Sequence, residues 1–289
     1  MKKSVPVLFV VMSVIFICTS ACSGKKEASP VDNEIAADTI SADTLETAID
    51  TLEQLISETP MPKAADELFD DFIFNFSVNK KVQMDRTCFP LVVYNEEAVA
   101  DSISKEDWKM DRFFMHQGFY SILFDNEQQM EIVKDTDVEN VIVEKINLPR
   151  DSVKQYMFDR NDGKWKLRSI KFVCLDNCPN ASFLKFYGKF VTDMDFQKES
   201  LSNPIVFVGP DPDDEFSENN ITTTFAPEHW SDYAPEDLPS ETIYNIIYGQ
   251  VYGKGNEKVF VLKGISNGFE TRLDFKRFGE HWKLTQLSI

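Results

Sequence analysis

Two arginines combine a ligand-binding side chain with a repeated position in the sequence. Arg160 and Arg277 each follow a phenylalanine by two residues, in "FDRNDGKWKL" and "FKRFGEHWKL". Because alternate residues of a strand share a face, each guanidinium lies on the face that carries Phe158 or Phe275. A guanidinium inside a pocket would bind a carboxylate, whereas one at a hairpin end would extend to the rim or pair with a structural acid. The sequence favours the rim position and keeps ligand binding as an alternative.

Three tyrosines recur at a spacing that places them together on a strand. Tyr244, Tyr248 and Tyr252 follow one another at intervals of four residues, so they would share one face of a single β-strand. Aromatic rings on the inner face of a curved sheet line a pocket or fill the core, and the sequence leaves both alternatives open. They join the two arginines as candidate ligand-binding residues.

The three histidines do not form a catalytic or metal-binding set. His116, His229 and His281 lie far apart, and none recurs at the equivalent place in the other half of the chain. The sequence contains no His-Glu-x-x-His motif and no nucleophile-elbow motif. Isolated histidines of this kind are typical of solvated or capping positions. The sequence therefore predicts no catalytic residue, no metal ion and no cofactor.

Cys88, Cys174 and Cys178 are candidates for a disulfide. In an exported protein a close pair is oxidised by default, and only three residues separate Cys174 from Cys178. Those two can join each other, or one of them can reach Cys88 in the same half of the chain. A lone pair at this spacing is a poor zinc site because it supplies too few ligands. We predict a structural disulfide and one remaining thiol.

An acidic segment, "DPDDEFSENN", imitates the start of a calcium-binding loop. Asp211, Asp213 and Glu215 occupy its first, third and fifth positions. Phe216 stands where the loop needs glycine, and Thr222 stands where it needs glutamate, so the match fails. The segment predicts a solvated acidic loop.

The elements that must position these residues occur twice. The stretches "FSVNKKVQMDRTCFPLVV" and "FVTDMDFQKESLSNPIVF" align without a gap. The matched pairs are Phe76 with Phe190, Val78 with Thr192, Gln83 with Gln197, and Pro90 with Pro204. A repeat unit that spans nearly half the chain is a duplicated domain rather than a solenoid module.

Each copy predicts a helix, a short polar helical segment and then strands. Apolar residues spaced at three and four positions indicate the first helix. They are Leu68, Phe69, Phe72, Ile73 and Phe76 in one copy, and Phe183, Phe186, Tyr187 and Phe190 in the other. The polar segment ends near the matched prolines, and the strands "LVVY" and "IVFV" follow.

The end of each copy predicts a bent hairpin. Asn161-Asp162-Gly163 supplies a turn in the first copy. In the last strand of that copy the apolar alternation slips from Leu167 to Ile170, and in the other copy it slips from Leu284 to Leu287. A slip of one residue exchanges the two faces of a strand, so a β-bulge or sharp bend is expected at both places.

Residues 1–22 are typical of a bacterial export signal. Lys2 and Lys3 precede an apolar run that is too short to span a bilayer. The end of this segment, "TSAC", resembles the lipobox of bacterial lipoproteins, in which a small residue precedes a lipid-modified cysteine. That cysteine would be Cys22, and Thr19 stands where the pattern usually has leucine. The alternative is ordinary secretion with a free Cys22. We favour a lipid anchor in the cell envelope, expected in the outer membrane on its periplasmic or exposed face.

Residues 23–65 predict a flexible acidic tether, since they contain no aromatic residue and few apolar ones. A weak helix is possible where Leu45, Ile49, Leu52 and Ile56 recur at helical spacing. Thr39, Thr44 and Thr51 each stand between aspartate and an aliphatic residue. This pattern resembles the O-glycosylation sites of some Gram-negative gut anaerobes, although it is equally typical of helix N-caps.

The helix, curved strands and bent hairpin together resemble the nuclear-transport-factor-2-like (cystatin-like α+β) superfamily. The whole mature chain resembles uncharacterised tandem-domain lipoproteins of gut Bacteroides-type bacteria. The resemblance implies an α+β fold with two tandem cone-shaped domains, each a helix packed on a curved antiparallel sheet. We expect them at residues 66–173 and 182–289, with a linker at 174–181. The resemblance also implies a concave sheet that holds a small molecule or a protein partner.

The net charge of −18 excludes one large class of partners. Nucleic-acid binding depends on Lys and Arg that neutralise phosphates, and this acidic chain would repel them. Peripheral attachment to anionic lipid headgroups is disfavoured for the same reason. We therefore expect a lipid-anchored envelope protein that binds a small molecule or an envelope protein. The alternatives are a pocket enzyme acting on a small or glycan-derived molecule and a structural subunit of an envelope assembly.

Overall fold

The structure is a computed structural model that describes residues 60–210, 220–265 and 267–289. The leader with Cys22, the tether up to residue 59 with Thr39, Thr44 and Thr51, and the acidic segment from Asp211 to Glu215 lie outside the described residues. The α-helices are α1 (Phe69–Val78), α2 (Lys80–Arg86), α3 (Ala181–Thr192), α4 (Met194–Glu199) and α5 (Trp230–Tyr233). The strands are β1 (Thr87–Asn95), β2 (Ala98–Ile103), β3 (Phe119–Phe124), β4 (Asn140–Asn147), β5 (Ser152–Asn161), β6 (Lys164–Cys174), β7 (Leu201–Pro210), β8 (Asn220–Phe225), β9 (Thr242–Ile247), β10 (Glu257–Gly264), β11 (Glu270–Phe278) and β12 (His281–Ser288).

The two long helices form where the aromatic stripes predict them. On α1, Phe72 and Phe76 are completely buried, and on α3 Tyr187 and Phe190 are completely buried. Each stripe packs against the sheet, because residues three and four apart lie on one side of a helix. No helix among the described residues combines the length and the apolar character needed to cross a membrane.

The repeated glutamine has the same structural role in both halves. The Nε2 of Gln83 donates to the carbonyl oxygen of Phe76 at 2.9 Å, and its Oε1 accepts from the indole Nε1 of Trp108 at 3.0 Å. Gln197 makes the equivalent pair of bonds, to the carbonyl of Phe190 and from Trp230. Each glutamine therefore satisfies a helix-end carbonyl and an indole N–H with a single side chain.

The bent hairpins also form as the sequence predicts. Asp162 and Gly163 both adopt positive φ angles between β5 and β6, as a tight hairpin turn requires. Opposite β5, Arg168 is the extra residue of a bulge between Leu167 and Ser169. Opposite β11, Thr285 is the extra residue at the equivalent point. The slip in apolar alternation is therefore a β-bulge in both copies.

The twelve strands of the described residues belong to one continuous sheet with the order β2-β1-β6-β5-β4-β9-β3-β10-β11-β12-β7-β8. The two halves exchange their third strands within it. β9 pairs with β4 of the first half, and β3 pairs with β10 of the second half. Between the exchanged strands the pairing is parallel, with Ser121 opposite Asn245.

The two hydrophobic cores lie on opposite faces of this sheet. On β10, Val259 and Val261 belong to the core beneath α1, whereas Phe260 and Leu262 belong to the core beneath α3. Successive side chains of a strand point to opposite faces, so the central strands contribute to both cores at once. This is why β10 is buried over nearly its whole length.

The α+β class is confirmed, but the halves are not physically separate bodies. Each half of the sheet is completed by a strand from the other half. The ranges 66–173 and 182–289 therefore remain a prediction of where each repeat unit begins and ends. The expected linker at 174–181 is packed against the protein: Leu175 is 1% exposed and belongs to the second core. A strand exchange of this kind does not alter the local sequence pattern, so the pattern does not reveal it.

Candidate functional site

A cavity of about 930 Å³ opens on the second half of the sheet. We call it the end cavity. Its walls come from β7, β10, β11 and β12, from the 3-10 segment Glu127–Lys134 that follows β3, and from residues 233–237 after α5. Because β3 is exchanged, the segment that follows it lies over the strands of the other half. Both halves therefore build this cavity.

Arg272 organises the polar side of the end cavity. Its Nε and Nη2 donate to the two carboxylate oxygens of Asp274 at 2.7 and 2.8 Å, a bidentate arrangement. Its Nη1 donates to Oε1 of Glu127 at 2.8 Å, which ties β11 to the segment after β3. The guanidinium lowers the pKa of Glu127, and the hydrogen bonds that Arg272 donates to Asp274 raise the pKa of Arg272 itself. The cation is therefore held rigidly and is already compensated.

A second depression of about 640 Å³ adjoins the end cavity. The two share Glu127, Arg272 and Gln286, so the bridge between Arg272 and Glu127 forms the boundary between them. Gln286 faces both spaces and donates through Nε2 to the hydroxyl of Ser288 at 3.1 Å. A ligand larger than the end cavity would extend past this bridge.

The charges that line the end cavity disfavour anionic ligands. Four carboxylates, from Glu127, Glu236, Asp237 and Glu270, line the end cavity against the single guanidinium of Arg272. The lining also includes the apolar side chains of Met130, Val208, Leu262, Phe269 and Ile289. An anion would be repelled here, because like charges at short range are unfavourable. The lining suits a ligand with an apolar face and neutral or cationic polar groups.

The repeated arginines lie near the ends of the two closing hairpins, Arg160 opposite Trp165 and Arg277 opposite Trp282. The guanidinium of Arg160 lies 5.9 Å from the ring centroid of Trp165, and its Nη1 donates to the carbonyl of Thr136 at 2.6 Å. That of Arg277 lies 5.7 Å from the ring of Trp282, and it donates to the side-chain oxygen of Asn256. Neither arginine lines the end cavity. Both support the closing hairpin by stacking on its indole.

The three tyrosines do not share one strand face. β9 ends at Ile247, so only Tyr244 lies on a strand. Tyr244 and Tyr248 are buried in the core beneath α1, which belongs to the first half, whereas Tyr252 packs against the other core. The hydroxyl of Tyr248 donates to the carboxylate of Asp70, and that of Tyr252 donates to the carbonyl of Leu123. The predicted pocket of the second half is therefore not lined by these residues, because β9 is exchanged.

Cys88, Cys174 and Cys178, the cysteines within the described residues, are free thiols in the structure. Cys88 accepts a hydrogen bond from Arg168, and the thiol of Cys178 points towards the carbonyl of Cys174. The predicted disulfide is not formed. Burial raises the pKa of Cys178 to about 12, which makes its thiol a weak nucleophile.

The three histidines, all within the described residues, are exposed. His229 contacts Asp232 at 3.3 Å on the surface. The described part of the chain contains no group of three or more His, Cys, Asp or Glu side chains placed to hold a metal ion.

Sequence reasoning missed Arg272 and Glu127. Arg272 stands at the position that Gln155 occupies in the first copy, so the repeat comparison contains a signal: a charged residue present in one copy only. Its partner Glu127 is distant in the chain and comes close only through the exchange of β3. No local motif could reveal that pair.

Comparisons with known proteins agree with the fold. Residues 48–289 match the model of a family described as Domain of unknown function (DUF4348). A crystal structure of an NTF2-like protein from Bacteroides fragilis is 40% identical; the alignment covers 79% of this chain and 98% of that chain, with a TM-score of 0.72. No curated protein matches. The predicted NTF2-like α+β fold is thereby confirmed.

Proposed function

The chain belongs to the DUF4348 family, a domain of unknown function, and from its own geometry we propose that it binds a small ligand in the end cavity. A cavity of about 930 Å³ carries this proposal. Pockets of roughly 300–1,000 Å³ with apolar walls and a few placed polar groups are typical small-molecule sites. The end cavity combines these features around a fixed guanidinium.

The ligand class follows from the lining. The carboxylates of Glu236, Asp237 and Glu270 offer hydrogen-bond acceptors without a free cation beside them. Phe269, which is 40% exposed, offers an aromatic surface at the mouth. Hydroxyl and ammonium groups donate to carboxylates, and an apolar ring face packs on an aromatic side chain. We therefore propose a neutral polyhydroxylated or cationic ligand with an apolar face.

We also propose that this binding occurs at the cell envelope. The resemblance of residues 19–22 to a lipobox supports a lipid on Cys22, and residues 23–65 would then act as a tether to the membrane. Replacement of Cys22 by alanine is expected to move the protein from the membrane fraction to the soluble fraction. Retention of the variant in the membrane fraction would contradict the lipid anchor without affecting the cavity.

We further propose that the two halves are copies of one NTF2-like unit. The equivalent roles of Gln83 and Gln197 and the equivalent bulges at Arg168 and Thr285 support this history. Function then resides where the copies differ, and Arg272 is such a place.

Native mass spectrometry of the protein purified from its own host tests the binding proposal. We expect a small mass above that of the polypeptide, lost when Gln286→Trp fills the boundary between the two depressions. Ser169→Trp is the matched control, since Ser169 holds the equivalent place on β6 with similar partial exposure. The control should keep the ligand.

Three outcomes would refute the proposal. The ligand could remain bound in Gln286→Trp, or it could be lost equally from the control. The protein could also be recovered without ligand in a stable complex with another envelope protein, and this would favour a structural subunit.

A further inference from the structure

A row of four side chains crosses the face of the sheet that α1 covers, far from the end cavity. Lys154 on β5 lies directly opposite Phe172 on β6 and opposite Lys145 on β4, and Lys145 lies opposite Tyr244 on β9. Two lysines are therefore neighbours between two aromatic rings. Like charges directly opposite one another destabilise a sheet, so their pairing requires an explanation.

In the part of the chain that the structure describes, one carboxylate lies within ion-pair distance of these two ammonium groups. Nζ of Lys154 is 3.6 Å from Oδ2 of Asp111. That carboxylate also accepts from the hydroxyl of Tyr156 and from the backbone N–H of Phe113 at 2.9 Å. Among the described residues, Lys145 forms no ion pair. The local balance is two positive charges against one negative charge, in a chain whose net charge is −18.

The surroundings make this excess charge costly. Burial lowers the pKa of Lys154, and Lys145 lowers it further, against the opposing effect of Asp111. The side chain of Lys154 is 28% exposed, so water compensates the pair only in part. A bound anion would restore neutrality, because opposite charges at close range stabilise the ionised forms.

Aromatic rings complete the site. Nζ of Lys154 lies 4.4 Å from the ring centroid of Tyr156 and 5.9 Å from that of Phe172, and Nζ of Lys145 lies 5.4 Å from that of Tyr244. The rings hold the ammonium groups in place through cation–π attraction. Phe172 remains 44% exposed and offers an apolar platform beside them.

The backbone next to the carboxylate is strained. Phe113 adopts a φ of +48°, which is rare for a bulky residue. The bond from its N–H to Asp111 fixes the carboxylate at the edge of the row. Strained residues of this kind concentrate at ligand sites because the surrounding structure must hold them.

We propose that Lys145 and Lys154 bind the carboxylate of a small molecule whose ring packs on Phe172. The first copy alone carries this site: the second copy has Leu262 and Thr271 at the equivalent places, in the same register. The site is independent of the end cavity, shares no residue with it and selects the opposite charge.

Titration with benzoate, followed by calorimetry and by NMR of the lysine side chains, tests the proposal. We expect saturable millimolar binding and a rise in the pKa of Lys154 when benzoate is bound. Benzyl alcohol, a neutral analogue, should bind at least tenfold more weakly. Gln286→Trp, which blocks the end cavity, should leave benzoate binding unchanged, so the two proposals can fail separately.

Lys145→Gln is expected to weaken benzoate binding at least tenfold. Lys263→Gln is the matched control, since Lys263 lies on the same face of β10 and has its own partner, Asp70, at 3.7 Å. It should change the affinity less than twofold. Equal losses in the two variants, equal binding of benzyl alcohol, or no binding of benzoate at 50 mM would each overturn the proposal.

Discussion

Asn245 joins the exchanged strands, and its replacement by alanine should destabilise the fold more than its size suggests. Its Oδ1 accepts from the backbone N–H of Leu123 on β3 at 2.9 Å, and its Nδ2 donates to Oε2 of Glu144 on β4 at 2.9 Å. Asn245 is 2% exposed, so water cannot replace either bond. A single side chain thus connects three neighbouring strands at the point where the halves meet.

The magnitude follows from these two bonds. An orphaned buried N–H costs about 1–3 kcal/mol, and the loss of a side-chain hydrogen bond costs about 0.5–1.5 kcal/mol. Because the two losses share one site, we expect a combined decrease of roughly 3 kcal/mol in the free energy of unfolding at pH 7. Asn140→Ala, an exposed substitution at the start of β4, should change it by less than about 0.5 kcal/mol.

The effect of pH gives the prediction a second test. Burial raises the pKa of Glu144 in the folded protein above its value in the unfolded chain. Glu144 therefore stabilises the folded state at low pH, and this stabilisation is lost as pH rises through the folded pKa. The bond from Asn245 moderates the shift. Without it, the cost of an ionised Glu144 grows, so the destabilisation by Asn245→Ala should be greater at pH 7 than at about pH 4.

Chemical denaturation of the wild type and both variants at the two pH values measures these quantities. The reasoning is refuted if Asn245→Ala behaves like Asn140→Ala at pH 7. Equal losses at both pH values would refute the part assigned to Glu144.

Two further predictions concern other parts of the fold. Asp66 forms a bidentate pair with Arg86 and accepts from a backbone N–H of β6. Asp66→Ala should therefore lower the free energy of unfolding by roughly 3 kcal/mol in denaturation experiments, whereas exposed Asp71→Ala should leave it nearly unchanged. Timed alkylation at pH 8, followed by mass spectrometry, should modify exposed Cys174 quickly and Cys178 slowly. The reason is that burial raises the pKa of the Cys178 thiol to about 12. If both thiols were protected until a reductant was added, they would be joined in a disulfide instead.

Much of the local structure could be predicted because its causes are local. The aromatic stripe through Phe72 and Phe76 requires a helix with one buried side. The turn at Gly163 requires a positive φ, and the slip between Leu167 and Ile170 requires a bulge. Each of these features depends on neighbours within a few residues, so the sequence contains the whole argument.

The candidate sites could be predicted only in part. Arg160 and Arg277 were recognisable as a repeated pair, and each guanidinium lies over the indole of its own hairpin. Arg272, Lys145 and Lys154 carry no motif. Arg272 meets Glu127, and Lys145 meets Tyr244, only through contacts between segments that are distant in the chain.

The sequence by itself determined the repeated unit, which is a helix, a matched glutamine and a bent hairpin. Apolar spacing dictates the helix, and turn chemistry with the slip in apolar alternation dictates the hairpin. Only the tertiary structure decided that β3 and β9 change places. Either strand is a short, nearly continuous buried run that could complete either half, so the local pattern is compatible with both arrangements. Contacts between distant residues, such as Asn245 with Glu144, distinguish them, and these exist only once the sheet has formed. The end cavity is a consequence of that exchange, since its walls come from both halves.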